Sequence, residues 1–158
     1  MLNEFNANEI LGMAERIEQN GYAFYRKAAD DVGNPEIKTF LLELAEMEVG
    51  HEKVFTQMKA SLSDAEKAEL VFDPYDDSAL YLKALAETRV FYEKEIDTTS
   101  AEEVLKAGIA AEKESIVFYL GMKEMVPAKG GKDKIDHIIR EEMKHIQVIT
   151  AKLLSLKK

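Results

Sequence analysis

Two short steps in this chain place a carboxylate and an imidazole one helical turn apart: Glu48-Val49-Gly50-His51 and Glu142-Met143-Lys144-His145. On a helix, residues three apart share a face, so each step can offer one oxygen and one nitrogen donor to the same metal ion. A single E-x-x-H step carries little weight in a glutamate-rich helical chain. The second copy changes that. Glu18 precedes Glu48 by 30 positions, and Glu112 precedes Glu142 by 30 positions. The set Glu18, Glu48, His51 therefore maps onto Glu112, Glu142, His145 by one constant shift of 94 positions.

Helices must position these groups, and the apolar pattern predicts them. A first helix is expected from about Ala7 to Asp31, capped by Asn6, with Glu9 three residues on. Its inward stripe reads Leu11, Ala14, Glu18, Gly21, Tyr25, Ala28, Val32, at steps of three and four. After Val32-Gly33-Asn34, a second helix opens with Asn34 as cap and Pro35 at its first position, and runs to about Ala60. Its stripe is Ile37, Leu41, Leu44, Glu48, His51, Phe55, Met58. A third bundle helix follows Ser100, with Glu103 forming a capping box, and ends before Pro127. Its stripe is Leu105, Gly108, Glu112, Ser115, Tyr119, Met122, Val126. A fourth follows Gly130-Gly131, with the stripe Ile135, Ile138, Glu142, His145, Ile149, Leu153, Leu156.

Each turn is equidistant from its two carboxylates. Gly33 lies 15 residues from both Glu18 and Glu48, and Pro127 lies 15 from both Glu112 and Glu142. In antiparallel hairpins this sets both carboxylates at one height, about 22 Å from the turn. Between the hairpins, residues 61–99 are too long for a link between neighbouring helix ends. Ser63 and Glu66 form a capping box for a short helix, Val71 to Asp76 break it, and a further helix is expected from about Asp77 to Lys94. This segment reads as a crossover that returns the chain to the other end of the bundle. The expected fold is all-α: one four-helix domain over residues 1–158 with a long helical crossover between the second and third bundle helices.

Most glutamates in such a chain belong on solvated faces, since charged side chains are rarely buried. These six residues differ together, because each interrupts an apolar stripe near the middle of its helix. Four buried carboxylates would cost several kcal/mol each as unpaired ions, or would have to protonate. No Lys or Arg stands in the stripes to offset them. Two divalent cations would balance four Glu and two neutral His, at three protein ligands per ion, leaving open or bridged positions for a small substrate.

Composition bounds the rest. The chain has 158 residues, 46% hydrophobic and 32% charged, with three prolines, which suits one helical globular domain. A formal charge of −9 and the lack of a basic stripe argue against a nucleic-acid partner. No apolar run is long enough to span a bilayer, and Met1-Leu2-Asn3-Glu4 does not open a signal peptide. There is no cysteine, which excludes disulfides, thiolate ligands and thiol catalysis, and fits a reducing cytoplasm. Redox chemistry here must therefore run on a bound metal or cofactor.

The pattern resembles the ferritin-like superfamily, where a Glu from each of two helices and Glu-x-x-His from each of the other two hold two iron or manganese ions. Within it, Ile17 to Ala29 (IEQNGYAFYRKAA) and Ala111 to Glu124 (AEKESIVFYLGMKE) resemble the rubrerythrin type. Both place Phe-Tyr six and seven residues after the glutamate: Phe24-Tyr25 and Phe118-Tyr119. The resemblance implies two iron ions on Glu18, Glu48, His51, Glu112, Glu142 and His145, although manganese or zinc also suits an N/O donor set. It implies an oxidoreductase that reduces hydrogen peroxide, or oxygen. Rubrerythrins carry a further carboxylate on the third helix; the corresponding positions here are Ile109 and Ser115. Many also carry a Cys-ligated rubredoxin domain, so this cysteine-free chain is expected to receive electrons from a separate protein such as a rubredoxin. Bacterioferritins hold haem through a Met beside the second-helix ligand; Val49 stands there, so haem is not implied.

Tyr25 and Tyr119 lie two turns beyond Glu18 and Glu112 on the same faces. They are candidates to hydrogen-bond ligand carboxylates or supply protons and electrons, against the plainer role of core aromatics. Tyr22 is expected in the core, His137 on the surface, and the methionines mostly as core filling. Lys132-Asp133-Lys134 and Lys157-Lys158 read as solvated helix ends. A homodimer or larger homo-oligomer is expected. Two other functions stay open: a ferroxidase that stores iron in a multi-subunit shell, and a metal-binding domain without turnover.

Overall fold

A computed structural model of the chain describes residues 6–68, 81, 82, 84, 96–126 and 131–157. Five helices occur among the described residues: α1 (Ala7–Asp31), α2 (Pro35–Ala60), α3 (Asp64–Ala68), α4 (Ala101–Met122) and α5 (Gly131–Ser155). No strand occurs among them. The expected helix over 77–94 and its break at 71–76 lie outside the described residues, except that Tyr81, Leu82 and Ala84 are helical. Pro127 and Gly130 lie outside them too.

The helix starts follow from their side chains. Asn6 accepts from the Glu9 N–H at 2.9 Å, and Asn34 accepts from Glu36 and Ile37 at 2.9 and 3.2 Å. Each bond satisfies a first-turn donor that has no partner within the helix. Pro35 gives up no hydrogen bond at this position. At α3 the capping box is reciprocal: Ser63 Oγ accepts from the Glu66 N–H at 3.1 Å, and Glu66 accepts from the Ser63 N–H at 3.0 Å. At α4 only half the expected box forms. Ser100 Oγ accepts from the Glu103 N–H at 3.3 Å, but the Glu103 carboxylate accepts from the Asp97 N–H at 2.8 Å. The Ser100 N–H is already held by the Asp97 carbonyl at 3.0 Å in the turn before the helix. Gly131 is already within helix α5.

Helix α1 packs along α2 and α4 along α5; the hairpins then meet through α1 with α4 and α2 with α5. Polar contacts at the ends fix the directions. Thr98 Oγ1 donates to Asp31 at 2.6 Å, so the start of α4 stands beside the end of α1. Lys152 reaches Glu36 at 3.0 Å, so the end of α5 stands beside the start of α2. The chain therefore leaves α2 at one end of the bundle and enters α4 at the other, as a crossover requires. The buried Leu82 seats this crossover on α4, where a Cβ added at Gly121 would come within 2.9 Å of Leu82 Cδ2.

The core has two apolar parts. One contains Ile10, Leu11, Phe55, Phe118, Met122 and Ile135. The other contains Val32, Ile37, Leu41, Leu44, Leu105 and Ile149. Burying a Leu, Ile or Phe side chain contributes about 1.5–3 kcal/mol. Every residue of the first three stripes is buried, but the fourth fails at its end: Leu153 is half-buried and Leu156 is 39% exposed. The last turn of α5 extends past the start of α2 and finds no cover there among the described residues. Tyr22 is also exposed, contrary to expectation, because it falls at the edge of the α1 stripe, one residue past buried Gly21. The methionines divide. Met58, Met122 and Met125 fill the core, whereas Met47 and Met143 are each 45% exposed. His137 is on the surface, as expected.

This packing ranks two substitutions. Leu41→Ala removes a fully buried side chain and should cost about 2–5 kcal/mol. Asn34→Ala removes a cap and should cost about 1 kcal/mol. Denaturant unfolding of the metal-free protein checks the order; a cap variant less stable than the core variant would mean that the α1–α2 turn, not the stripe, carries the hairpin.

Candidate metal centre

The six sequence-selected residues meet at one level between the two apolar parts. Glu18, Glu48, Glu112 and Glu142 are at most 1% exposed, His145 is 2% and His51 is 8% exposed. Their donor atoms form two groups, each with all atoms within 4.8 Å of one another: Glu18, Glu48, His51, Glu142 and Glu48, Glu112, Glu142, His145. Glu48 and Glu142 belong to both. The three-ligand division expected from the sequence thus becomes four donors per group, with the two E-x-x-H glutamates shared. Glu18 with His51 closes one side, and Glu112 with His145 closes the other.

Both imidazoles turn Nδ1 inward. His51 Nδ1 lies 3.1 Å from Glu142 and 3.6 Å from Glu18. His145 Nδ1 lies 2.9 Å from Glu142 and 3.3 Å from Glu48 and Glu112. The two rings stack at 5.5 Å with a 20° interplanar angle. The site also passes a chemical test for a cation. Glu18 Oε2, both oxygens of Glu48, Glu112 Oε2, Glu142 Oε2 and His145 Nδ1 are buried without a hydrogen-bond partner. Buried polar atoms are almost always partnered. Six orphaned atoms within the two donor groups, all of them Lewis bases, fit divalent metal.

The tyrosines tie the site to both apolar parts, and they do so across the bundle. Tyr25 of α1 donates to Glu112 Oε1 of α4 at 2.6 Å, and Tyr119 of α4 donates to Glu18 Oε1 of α1 at 2.5 Å. Glu18 keeps its other oxygen, Oε2, 3.6 Å from His51 Nδ1, whereas the tyrosine-bound Oε1 of Glu112 itself lies 3.3 Å from His145 Nδ1. Tyr25 fits because position 108 is glycine; a Cβ there would lie 3.3 Å from the Tyr25 hydroxyl. Burial, reinforced by Glu112 for Tyr25 and by Glu18 for Tyr119, holds both phenols well above their ordinary 10. They therefore remain donors at neutral pH.

The carboxyls are unequal. Burial, then the charges of Glu18, Glu142 and Glu112, pushes Glu48 well above the carboxylate range. Burial, then Glu112 and Glu18, does the same to Glu142. Burial also acts on Glu18 and Glu112, but proton sharing with Glu48 and Glu142, then the adjacent histidines and the tyrosine hydroxyls, outweighs it and lowers both. Burial disfavours the His145 cation, yet Glu112 and Glu48 overcome it and raise the ring from 6.5 to about 10. Burial and neighbouring charge thus favour protons on Glu48, Glu142 and His145, the places where cations would neutralise the same charge.

The rubrerythrin family model matches residues 9–153. The chain belongs to the rubrerythrin family. A solved structure of a candidate ferritin-like diiron-carboxylate protein from Thermotoga maritima has the same fold: TM-score 0.70, 24% identity, 97% of each chain covered. No curated protein matches the chain. As a rubrerythrin it has a spare third helix. Ile109 is apolar and half-buried, and Ser115 is buried with its hydroxyl donated to the Ala111 carbonyl at 3.0 Å, so neither position offers a further carboxylate.

One contact was not anticipated: Met47 Sδ lies 3.1 Å from His145 Nε2. Met47 stands off the α2 stripe, so periodicity alone did not select it. Its place next to Glu48, on the α5 side of the helix, was the available signal.

Two outcomes follow for the cluster. The raised groups bind protons more tightly folded than unfolded. Glu48 and Glu142 give stability that is complete below 4.5, and His145 gives stability that is complete below 6.5; all of it is lost as pH rises through the folded values. Lowered Glu18 and Glu112 act oppositely, losing their contribution only as pH falls below the ordinary carboxylate range. The metal-free melting temperature should therefore drop from pH 6.5 to 9, and the increment on adding divalent metal should grow. Calorimetry in buffers of different ionisation enthalpy should show net proton release as the site fills at pH 7. Binding without proton release would place the metal elsewhere. Separately, Glu48→Gln should raise the metal-free melting temperature at pH 8 and abolish the metal-induced increment; a loss in both forms would mean that Glu48 is chiefly a packing residue.

Proposed function

We propose that this chain is a non-haem diiron oxidoreductase that reduces hydrogen peroxide to water, with electrons from a separate donor protein. The observation that carries it is the pair of overlapping four-donor groups in a buried layer, five of whose eight carboxylate oxygens lack hydrogen-bond partners, in a chain of the rubrerythrin family. Glu18, Glu48, His51, Glu112, Glu142 and His145 are the proposed ligands, and two irons are the proposed metals. Bound there, adjacent irons would together supply the two electrons that cleaving an O–O bond needs without releasing a radical.

The protein's part is positional and protonic. Glu142 turns Oε1 toward His51 and Oε2 toward His145, and Glu48 belongs to both donor groups, so each could serve either half as charge changes. Tyr25 and Tyr119 fix one oxygen of Glu112 and Glu18 and so limit how those carboxylates rotate. His51 is the most exposed of the six, which puts the shortest route for a small oxidant on its side. The apolar parts above and below keep bulk water from the layer. Within these 158 residues no cysteine can ligate a rubredoxin-type iron, and we take electrons to arrive from such a centre on another protein, in the cytoplasm. Among the described residues no helix is long and apolar enough to cross a membrane.

A ferroxidase is the second reading, favoured by one observation: α4 supplies a single carboxylate, with Ile109 and Ser115 offering none. Stopped-flow oxidation of the diferrous protein by equimolar peroxide or oxygen separates the two. Faster oxidation by peroxide, lost on iron removal and restored by iron, is expected; faster oxidation by oxygen would replace the peroxidase with the ferroxidase. Size-exclusion chromatography should give a homodimer, whereas a large shell would favour storage.

A further inference from the structure

The shift of 94 positions relates all six clustered residues and both tyrosines, but it breaks at one contact. His145 Nε2 meets the sulfur of Met47 at 3.1 Å. The position equivalent to Met47 in the other half is Glu141. That carboxylate lies 3.3 Å from Lys144 and 3.9 Å from surface His137. The two inward-facing imidazoles are thus backed by different chemistry: a thioether behind one, an acidic residue at the matching position of the other.

The direction of the His145 contact is settled by the inner nitrogen. With Nδ1 directed at Glu48, Glu112 and Glu142, a bound metal takes the Nδ1 lone pair and the proton resides on Nε2. If the ring is instead a cation, Nε2 is again protonated. In the metal-bound ring and in the cation alike, Nε2–H is the donor and sulfur the acceptor. A thioether is a weak acceptor, and a partner on the outer nitrogen tunes both the orientation and the basicity of a ligating imidazole.

We propose that Met47 is a positioning residue for His145: its sulfur holds the ring by Nε2–H, and this makes the Glu112–His145 half of the site chemically distinct from the Glu18–His51 half. The proposal rests on the dinuclear reading above. It predicts that two ions bind with unequal affinity and that position 47 governs only one of them.

Cobalt(II) titration by calorimetry tests it with the full chain. Unsubstituted protein should show two resolved steps. Met47→Leu should weaken one step by roughly threefold to tenfold, at or below the usual cost of losing an outer partner, and leave the other within about twofold. Met47→Gln, whose carbonyl oxygen can accept the same proton, should restore the weakened step. In the cobalt protein, the paramagnetically shifted Nε2–H signal of His145 should exchange faster with solvent in Met47→Leu than in Met47→Gln. Because Met47 is 45% exposed, the metal-free melting temperature should hardly move. Unchanged affinities and exchange in Met47→Leu would overturn the proposal, as would an equal fall in both steps. Cobalt binding by neither half of the unsubstituted protein would overturn the dinuclear reading itself, and this proposal with it.

Discussion

Four carboxyl groups packed into an apolar interior set the terms for the rest of this fold. Their mutual repulsion and lost hydration would disrupt a bundle of this size if all were ionised and bare. The structure holds them in a layer with two imidazoles and two phenols and, among the described residues, no Lys or Arg. When metal is absent, protons on Glu48, Glu142 and His145 are favoured. Neutralisation by cations is the alternative, and the unpartnered inward oxygens are arranged for it. Stability and metal binding are therefore one property of the layer.

The helices serve that layer through geometry. Equal spacing from each turn puts the paired carboxylates at one height. The crossover lets the second hairpin enter from the opposite end, so that α1 faces α4 and α2 faces α5. Only this order brings Glu48 and Glu142 to the shared central positions. The tyrosines use the same arrangement, each reaching from one apolar part to a carboxylate on the facing helix. A hydroxyl from the same helix could orient its glutamate; one from the opposite hairpin also joins the halves.

The sequence made the four long helices, the caps Asn6, Asn34 and Ser100, and the six clustered residues readable, because all of these follow from local chemistry or periodicity. Asn34 and Pro35 marked a helix start by composition alone. A repeat of 94 positions then tied distant glutamates together without a contact map. Sharing of Glu48 and Glu142 was not readable, since spacing gives height along a helix and not rotation about it. The crossed tyrosine pairs were hidden for the same reason. Met47 and Tyr22 stood at the margins of their stripes, where one residue's rotation decides between core and solvent. Whether peroxide, oxygen or ferrous ion is the substrate depends on kinetics that ligand identity does not encode.

Glu142 takes part in both donor groups, and it lies on the last helix. During synthesis, everything up to α4 can leave the ribosome and still lack a complete four-donor set. The α1–α2 hairpin alone presents Glu18, Glu48 and His51, a group open on one side. A complete four-donor set is thereby deferred until α5 packs onto the rest of the bundle.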